Sequence, residues 1–482
     1  MSISQPGIFQ RPGERLLEYT HRHRNLTACV LLAAAYLVVC FVLHLPYYYV
    51  GYAVVGAILL GLSLKYPFAA FLGYVFLVNL LPYGFIGNST FTLAKIGGVI
   101  LVAVTLAVTA VRTPEYGRRL RRAFDKRGLV VLILILAGAV STIFNRNPQS
   151  AFIEQHLQFL LLFVLARVYV DTEKRLWWLL VVILLARGLD SALGLYQYLT
   201  IPNVGRISSN FYDPNEYACY TLVALPFAVY LVGYQKNKLL RAFFIVMGLL
   251  TFIAVIISFS RAGFITLAFV LLLIFFIPTI KMRNRLIMLL LTVLLIIAFI
   301  PFDYWARIET LNSLLGNGDM ERSVMIRKRQ VDTSIRFFLE NPIFGVGYQQ
   351  YRTTPEKLLG GYIIKRGRLG EHSTILQIFV EFGLIGFIPF VILVYLVFRS
   401  GIRAVKLARL AGHQGIRLLS TATTLSFTSY MIFSFMLGTY TKYLYLYLAL
   451  PMVAYDIAME KLSRPAKEGE VADEKDHDRS VA

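Results

Sequence analysis

Residues 242–280 read AFFIVMGLLTFIAVIISF-SR-AGFITLAFVLLLIFFIPTI. Two apolar runs, 242–259 and 262–280, are separated by Ser260 and Arg261 alone, and each has about the 20 residues that carry a helix across a bilayer. In the hydrocarbon core every backbone N–H and C=O must be bonded within the protein, which a helix does inside its own segment. The stretch therefore predicts two membrane-crossing helices joined by a tight turn. Similar runs stand near 26–43, 47–64, 66–82, 93–111, 128–144, 153–170, 176–199 and 216–233, then near 285–301, 373–398, 418–438 and 443–459. Together they make roughly fourteen crossings. The run at 153–170 is the weakest, because it carries Glu154, His156 and Arg167.

Composition points the same way. The chain is 57% hydrophobic and 16% charged over 482 residues, with a mean hydropathy of +0.64. A soluble domain does not need that much apolar sequence. The three cysteines, Cys29, Cys40 and Cys219, sit in or at the edge of apolar runs, with no spacing for metal ligation or a disulfide framework. They read as small buried hydrophobes. The first run follows a basic tail (Arg11, Arg15, Arg22, Arg24) without a small-residue cleavage site, so a span is expected there rather than a cleaved signal.

The net charge of +21 is gathered between the runs. That distribution fits a membrane protein obeying the positive-inside rule, with membrane lipids around it and no nucleic-acid partner. With the amino terminus in the cytoplasm, the inner loops are 112–127 (seven basic residues), 171–175, 235–241, 281–285 and 399–417. The expected fold is all-α, a polytopic membrane helix bundle of about 12–14 transmembrane helices with one long, partly helical outer loop. Its parts are a basic cytoplasmic tail over 1–25, helices 1–11 over 26–301, the long loop over 302–372, helices 12–14 over 373–459, and a disordered cytoplasmic tail over 460–482.

This alternation puts the loop with Arg206, the turn with Arg261 and the long loop ending at His372 on one outer side. Eleven Lys or Arg residues against eight Asp or Glu lie between Pro301 and Ser373. A basic concavity there favours an anionic substrate. Arg261 is either an interfacial arginine at a tight turn or a guanidinium fixed for bidentate phosphate binding, with the small residues Ala262 and Gly263 letting a bulky ligand approach. Arg206 is a second anion-binding candidate. Asp213 followed by Pro214 reads as a helix N-cap with proline in the first turn, next to Asn215.

Arg322, Arg327, Lys328 and Arg329 open a helical stretch within the long loop, which ends at Asn341-Pro342 and the glycines Gly345 and Gly347. His372 closes that loop in a basic segment, where neighbouring cations favour the neutral imidazole of a general base. Gln377 and Glu381 follow on the next helix, and Gly383 and Gly386 suggest close helix packing. A membrane-embedded Glu381 needs a partner or belongs to a site. Arg187 and Asp190, three apart on one helix, read as an internal ion pair. Absent are a phosphate-binding glycine loop, His-Glu-x-x-His, Gly-x-Ser-x-Gly and an outward aspartate pair. A mechanism without metal or cofactor is expected.

The set Arg206…Asp213-Pro214-Asn215, Ser260-Arg261-Ala262-Gly263, Arg327…Asn341-Pro342…Gly345-Val346-Gly347 and His372…Leu376-Gln377…Glu381-Phe382-Gly383-Leu384-Ile385-Gly386 resembles the O-antigen ligase and polymerase superfamily in order and spacing. The resemblance covers about residues 130–450, and the first four spans fit loosely. It implies a glycan transferase at the periplasmic face of the bacterial inner membrane, with a donor linked to undecaprenyl diphosphate. It implies that Arg206 and Arg261 bind the diphosphate and that His372 activates the acceptor hydroxyl, inverting the anomeric centre. Many members have Asn after the histidine, where this chain has Ser373, a residue suited to cap the next helix.

Within the superfamily the acceptor is lipid A core, a growing glycan or a protein hydroxyl, according to whether the member is a ligase, a polymerase or a protein O-glycosylating enzyme. From another class, a multi-span lipid or solute transporter also fits the composition. It would place its key residues near the midplane, within internal repeats.

Overall fold

The computed structural model describes residues 66–80, 114–145, 150–202, 205–211, 213–277, 279, 282–286, 289–290, 322–350, 373–438 and 441–463. The spans expected at 26–43, 47–64 and 93–111, most of that at 285–301, Cys29, Cys40, the tails over 1–25 and 464–482 and His372 lie outside them, as does the side chain of Arg327. Residues 460–463, expected in the disordered tail, end a helix instead. Contacts divide the chain into two units, 1–74 with 84–113 and 75–83 with 114–482. The second holds the architecture below apart from residues 67–74, the first part of the first helix.

Every regular element in the described residues is an α-helix. In chain order they are α1 (Pro67–Leu80), α2 (Pro114–Ala123), α3 (Lys126–Phe144), α4 (Ser150–Tyr169), α5 (Glu173–Thr200), α6 (Pro214–Leu222) and α7 (Leu225–Tyr234). There follow α8 (Lys238–Ile257), α9 (Arg261–Phe276), α10 (Arg322–Glu340), α11 (Thr374–Leu410), α12 (Gln414–Ser434) and α13 (Lys442–Ser463). Among the described residues, five segments are long and apolar enough to cross a membrane: α3, α5, α6 with α7, α8 and α11. The fold is thus the expected all-α polytopic bundle. One difference is α2, a helix of sequence PEYGRRLRRA within what reads as a basic loop.

Ion pairs gather at one end of the bundle. Asp125 caps α3, its side chain accepting from the amides of Arg127 and Gly128. It also pairs with Arg127 at 2.6 Å and with Arg167 of α4 at 2.8 Å. Asp456 of α13 receives the same two arginines, at 2.5 and 2.8 Å. Glu173 at the start of α5 holds Lys461 of α13 and the hydroxyl of Tyr234 at the end of α7. Arg167, which weakens the hydropathy of its run, is thereby neutralised by two carboxylates, as a charge among packed helices must be.

α12 runs through the centre, packing against α7, α9, α11 and α13. Its Ser and Thr side chains bond back to carbonyls one turn earlier, among them Thr421, Thr424, Thr428, Ser429 and Ser434. Ser426 instead reaches the carbonyl of Val223 at 2.6 Å. That carbonyl lies at the junction of α6 and α7, where Pro226 supplies no amide.

α11 departs most from expectation. Gly383, predicted to serve helix packing, has φ 59° and ψ −160° and breaks the helix. The freed groups pair with the strand-like turn after α10: Val346 N donates to Val380 O at 3.0 Å and Gly347 N to Glu381 O at 2.9 Å. In the other direction Leu384 N donates to Pro342 O at 2.9 Å and Ile385 N to Ile343 O at 3.2 Å. Ser141 of α3 adds a 2.6 Å bond to Glu381 O, and Asn145 a 3.0 Å bond to Gly345 O. Phe344 stacks on Phe144 and Phe338 on Phe379. The part of α11 beyond the break is about 40 Å long, enough to span the hydrocarbon by itself. The break therefore sits near the bundle end opposite the ion pairs.

Two expectations follow. A Cβ on Gly345 (φ +69°) would lie 2.5 Å from Glu381 O, Gly383 N and Val380 O, whereas one on Gly412 (φ +73°) meets nothing within 4 Å. Gly345→Ala should destabilise by roughly 3 kcal/mol or more, combining backbone strain with overpacking, and Gly412→Ala by about 1 kcal/mol; thermal unfolding in detergent compares them. Burial would raise the Asp125 carboxyl, but hydrogen bonds and charge from Arg167, then Arg127, outweigh it and hold the carboxyl well below the usual range. Its contribution to stability is therefore full above the unfolded carboxylate value near ~4 and is lost as pH falls below that. Melting temperature followed from pH 7 downward should fall less steeply below pH ~4 in Asp125→Asn, which keeps a capping side chain, than in the wild type.

Candidate functional site

Two helices begin side by side at the end opposite the ion pairs. Asp213 caps α6 and its side chain accepts from Asn215 N, with Pro214 in the first turn. Ser260 caps α9, its Oγ accepting from Gly263 N. Asn215 joins the two starts: its Oδ1 accepts from Ser260 Oγ at 2.8 Å and from Arg206 Nη2 at 3.0 Å. Arg206 also donates through Nε to the Ser258 carbonyl at 3.2 Å. Arg261 is the first residue of α9 and is half-buried, while Arg206 is exposed. Two positive helix ends, the Arg206 guanidinium and Arg261 at the first position of α9 thus share one small region, an arrangement that favours a polyanion.

The backbone here is held in unusual states. Gly205 (φ 65°), Ser209 (φ 48°) and Phe259 (φ 49°) are left-handed, and Ile207 N donates to Ile257 O at 3.3 Å. A bulky residue such as Phe259 enters that region at a cost of about 1–2 kcal/mol, offset here by burial of the α8–α9 turn. Ala262 and Gly263 do not open space for a ligand, contrary to expectation. A Cβ on Gly263 would lie 3.1 Å from Ala218 Cβ and 3.2 Å from Ser260 Cβ, so these small residues let α9 approach α6.

The start of α11, which follows His372 directly, is tied to the same region. Ser373 caps it as expected, accepting from Leu376 N, and its Oγ lies 3.4 Å from Ser434 O. Thr374 donates to the carbonyl of Leu437 through both N (3.2 Å) and Oγ1 (3.0 Å). The Leu437 side chain packs in a cluster with Ala218, Cys219, Leu222 and Ala262, the neighbour of Arg261. One turn after α12 thereby anchors both the helix that starts at Arg261 and the helix that follows His372. Nothing in the sequence of 435–438 marks it for that task.

Gln377 and Glu381 form a second polar group on α11. Both are buried, and Gln377 Nε2 donates to Glu381 Oε2 at 3.3 Å. Near the break, buried His156 of α4 packs edge-on against Tyr348 at 5.0 Å between centroids, and the Tyr348 hydroxyl donates to Gln155. His156, one of the three residues that weaken its run, is therefore part of the seat for the segment that follows the 341–347 turn of the long loop.

Residues 246–391 match a family model described as O-Antigen ligase. The matched stretch runs from α8 to the middle of α11, including Arg261, the Asn341-Pro342 turn and the Gly383 break, and excluding Arg206 and Asn215. A search of curated proteins found no match. With the all-α polytopic fold, the match over residues 246–391 supports the resemblance that the motifs carry, to the O-antigen ligase superfamily.

Proposed function

We propose that the chain transfers a glycan from undecaprenyl diphosphate to an acceptor hydroxyl at the periplasmic face of the bacterial inner membrane. What supports this reading is the meeting of Arg206 with the α6 and α9 helix starts at the Asn215–Ser260 pair, with Arg261 the residue next after Ser260. A diphosphate carries concentrated negative charge, and more of it develops on the leaving oxygen as the glycosidic bond breaks. Guanidinium groups and helix ends fixed in advance stabilise that charge without reorganising during the reaction.

His372, two residues before the anchored Thr374, is the base in this reading. It takes the proton from the acceptor hydroxyl while the oxygen lone pair attacks the anomeric carbon. The bond from that carbon to the diphosphate oxygen breaks, and undecaprenyl diphosphate leaves with the bonding electrons. Attack from the face opposite the leaving group inverts the anomeric centre. Arg327 is a supporting cation from the long loop. Gln377 and Glu381 support the helix behind the histidine, and Asp213 shapes the site by capping α6. In this scheme the charge on the diphosphate is met by arginines, with no metal or cofactor assigned.

The acceptor sets the place of the reaction in lipopolysaccharide or surface polysaccharide biosynthesis. Transfer to lipid A core is ligation, transfer to a growing glycan is polymerisation, and transfer to a protein hydroxyl is protein glycosylation. A deletion strain separates the first two: loss of a ligase leaves full-length glycan on its lipid carrier, and loss of a polymerase leaves single repeats. With purified protein, Arg261→Ala is expected to lower the transfer rate by about 10²–10³, and His372→Ala to abolish transfer, with melting temperatures close to the wild type. Wild-type transfer by His372→Ala would remove the histidine from the mechanism.

A further inference from the structure

Arg187 and Asp190 lie near the middle of α5, each about 15–20 Å from the nearer helix end. Both side chains are fully buried, with Arg187 Nη1 3.5 Å from Asp190 Oδ2. The pair expected from their spacing is therefore present, but its hydrogen bonding is lopsided. None of the Arg187 side-chain nitrogens donates a hydrogen bond to the protein. Its guanidinium lies over the Phe211 ring, 5.2 Å from the centroid. Asp190 is gripped from the other side: Ser209 Oγ lies 2.8 Å from Oδ1 and 2.9 Å from the Asp190 carbonyl, and Asn210 Nδ2 donates to Oδ1 at 3.0 Å.

Ser209, Asn210 and Phe211 belong to the loop that carries Arg206. That loop is tied at two levels. Its first part is pinned to the end of α8 through Arg206 Nε to Ser258 O and Ile207 N to Ile257 O. Its second part dips to α5 and is held by Asp190, with Ser209 at φ 48°. A buried ion pair is a poor source of net stability, because apolar residues of the same volume do as well. A charged group at this depth points to function. Here the function is mechanical: Arg187 supplies the counter-charge that keeps Asp190 an acceptor, and Asp190 fixes the loop three and four residues beyond Arg206.

We propose that Asp190, held by Arg187, is a positioning residue that aims Arg206 at the diphosphate of the donor. This rests on the reading of Arg206 as a diphosphate contact. The test uses the full chain in nanodiscs and undecaprenyl diphosphate as the probe, with dissociation constants measured for a double-mutant cycle. One arm is Arg206→Ala. The other is Ser209→Ala with Asn210→Ala, which releases the loop and leaves the ion pair intact. Asp190→Asn is a third variant, and where uncompensated Arg187 prevents its folding the loop variant carries the test.

The loop variant should bind the probe about tenfold more weakly and should lose that effect when Arg206 is already alanine. Hydrogen exchange across 205–211 should accelerate in the same variant. Two results overturn the proposal while leaving the diphosphate site standing: Arg206→Ala weakens binding and the loop variant does not, or the loop variant weakens it equally in both backgrounds. If Arg206→Ala itself binds as the wild type does, the diphosphate reading of Arg206 fails and the proposal falls with it.

Discussion

A backbone amide or carbonyl released inside an apolar bundle has no water to turn to, and leaving it unbonded costs several kcal/mol. The break in α11 at Gly383 releases several at once. They are recovered by the turn over 341–347, which gives two amides to α11 and takes two from it. Gly345 and Gly383 face each other with no space for a side chain on either. The 341–347 turn of the long loop is consequently part of the bundle. The same rule explains Ser426 at the α6–α7 junction, where a hydroxyl from α12 meets the Val223 carbonyl.

Those exchanges matter because of where they sit. The long loop is held at one end of the bundle at two places, its 341–347 turn by the α11 break and the residues that follow it by Ser373 and Thr374 on the turn after α12. That turn also carries Leu437 into the cluster beneath Arg261. Asn215 then links Arg206 to the α9 cap. A chain of short contacts thus runs from the helix after the histidine to both arginines. The ion-paired opposite end, with Asp125 and Asp456 around Arg167, locks α3, α4 and α13 at the far side of the membrane-length helices.

Much of this was legible because membrane helices announce themselves by length and apolar content. The runs at 128–144, 176–199, 242–259 and 262–280 correspond to α3, α5, α8 and α9 within a few residues. The caps at Asp213 and Ser373 were legible too, since their chemistry is local. The failures have one character. Gly383 reads equally as a packing glycine or a break, and only the partner turn some forty residues earlier decides between them. Ala262 and Gly263 read as room for a ligand, whereas the room is taken by Ala218. The anchoring role of Leu437 and the grip of Ser209 and Asn210 on Asp190 arise from contacts between distant segments, which no local pattern encodes.

The central claim is a displacement at the anomeric carbon with undecaprenyl diphosphate as leaving group. The most direct measurement reconstitutes the purified chain with a lipid-linked glycan of known anomeric configuration and a hydroxyl acceptor, then determines both products. Free undecaprenyl diphosphate is expected in amounts equal to the glycan transferred, with that glycan joined to the acceptor in inverted configuration. Retained configuration, or passage of the lipid-linked glycan across the membrane with its glycosidic bond intact, would contradict it.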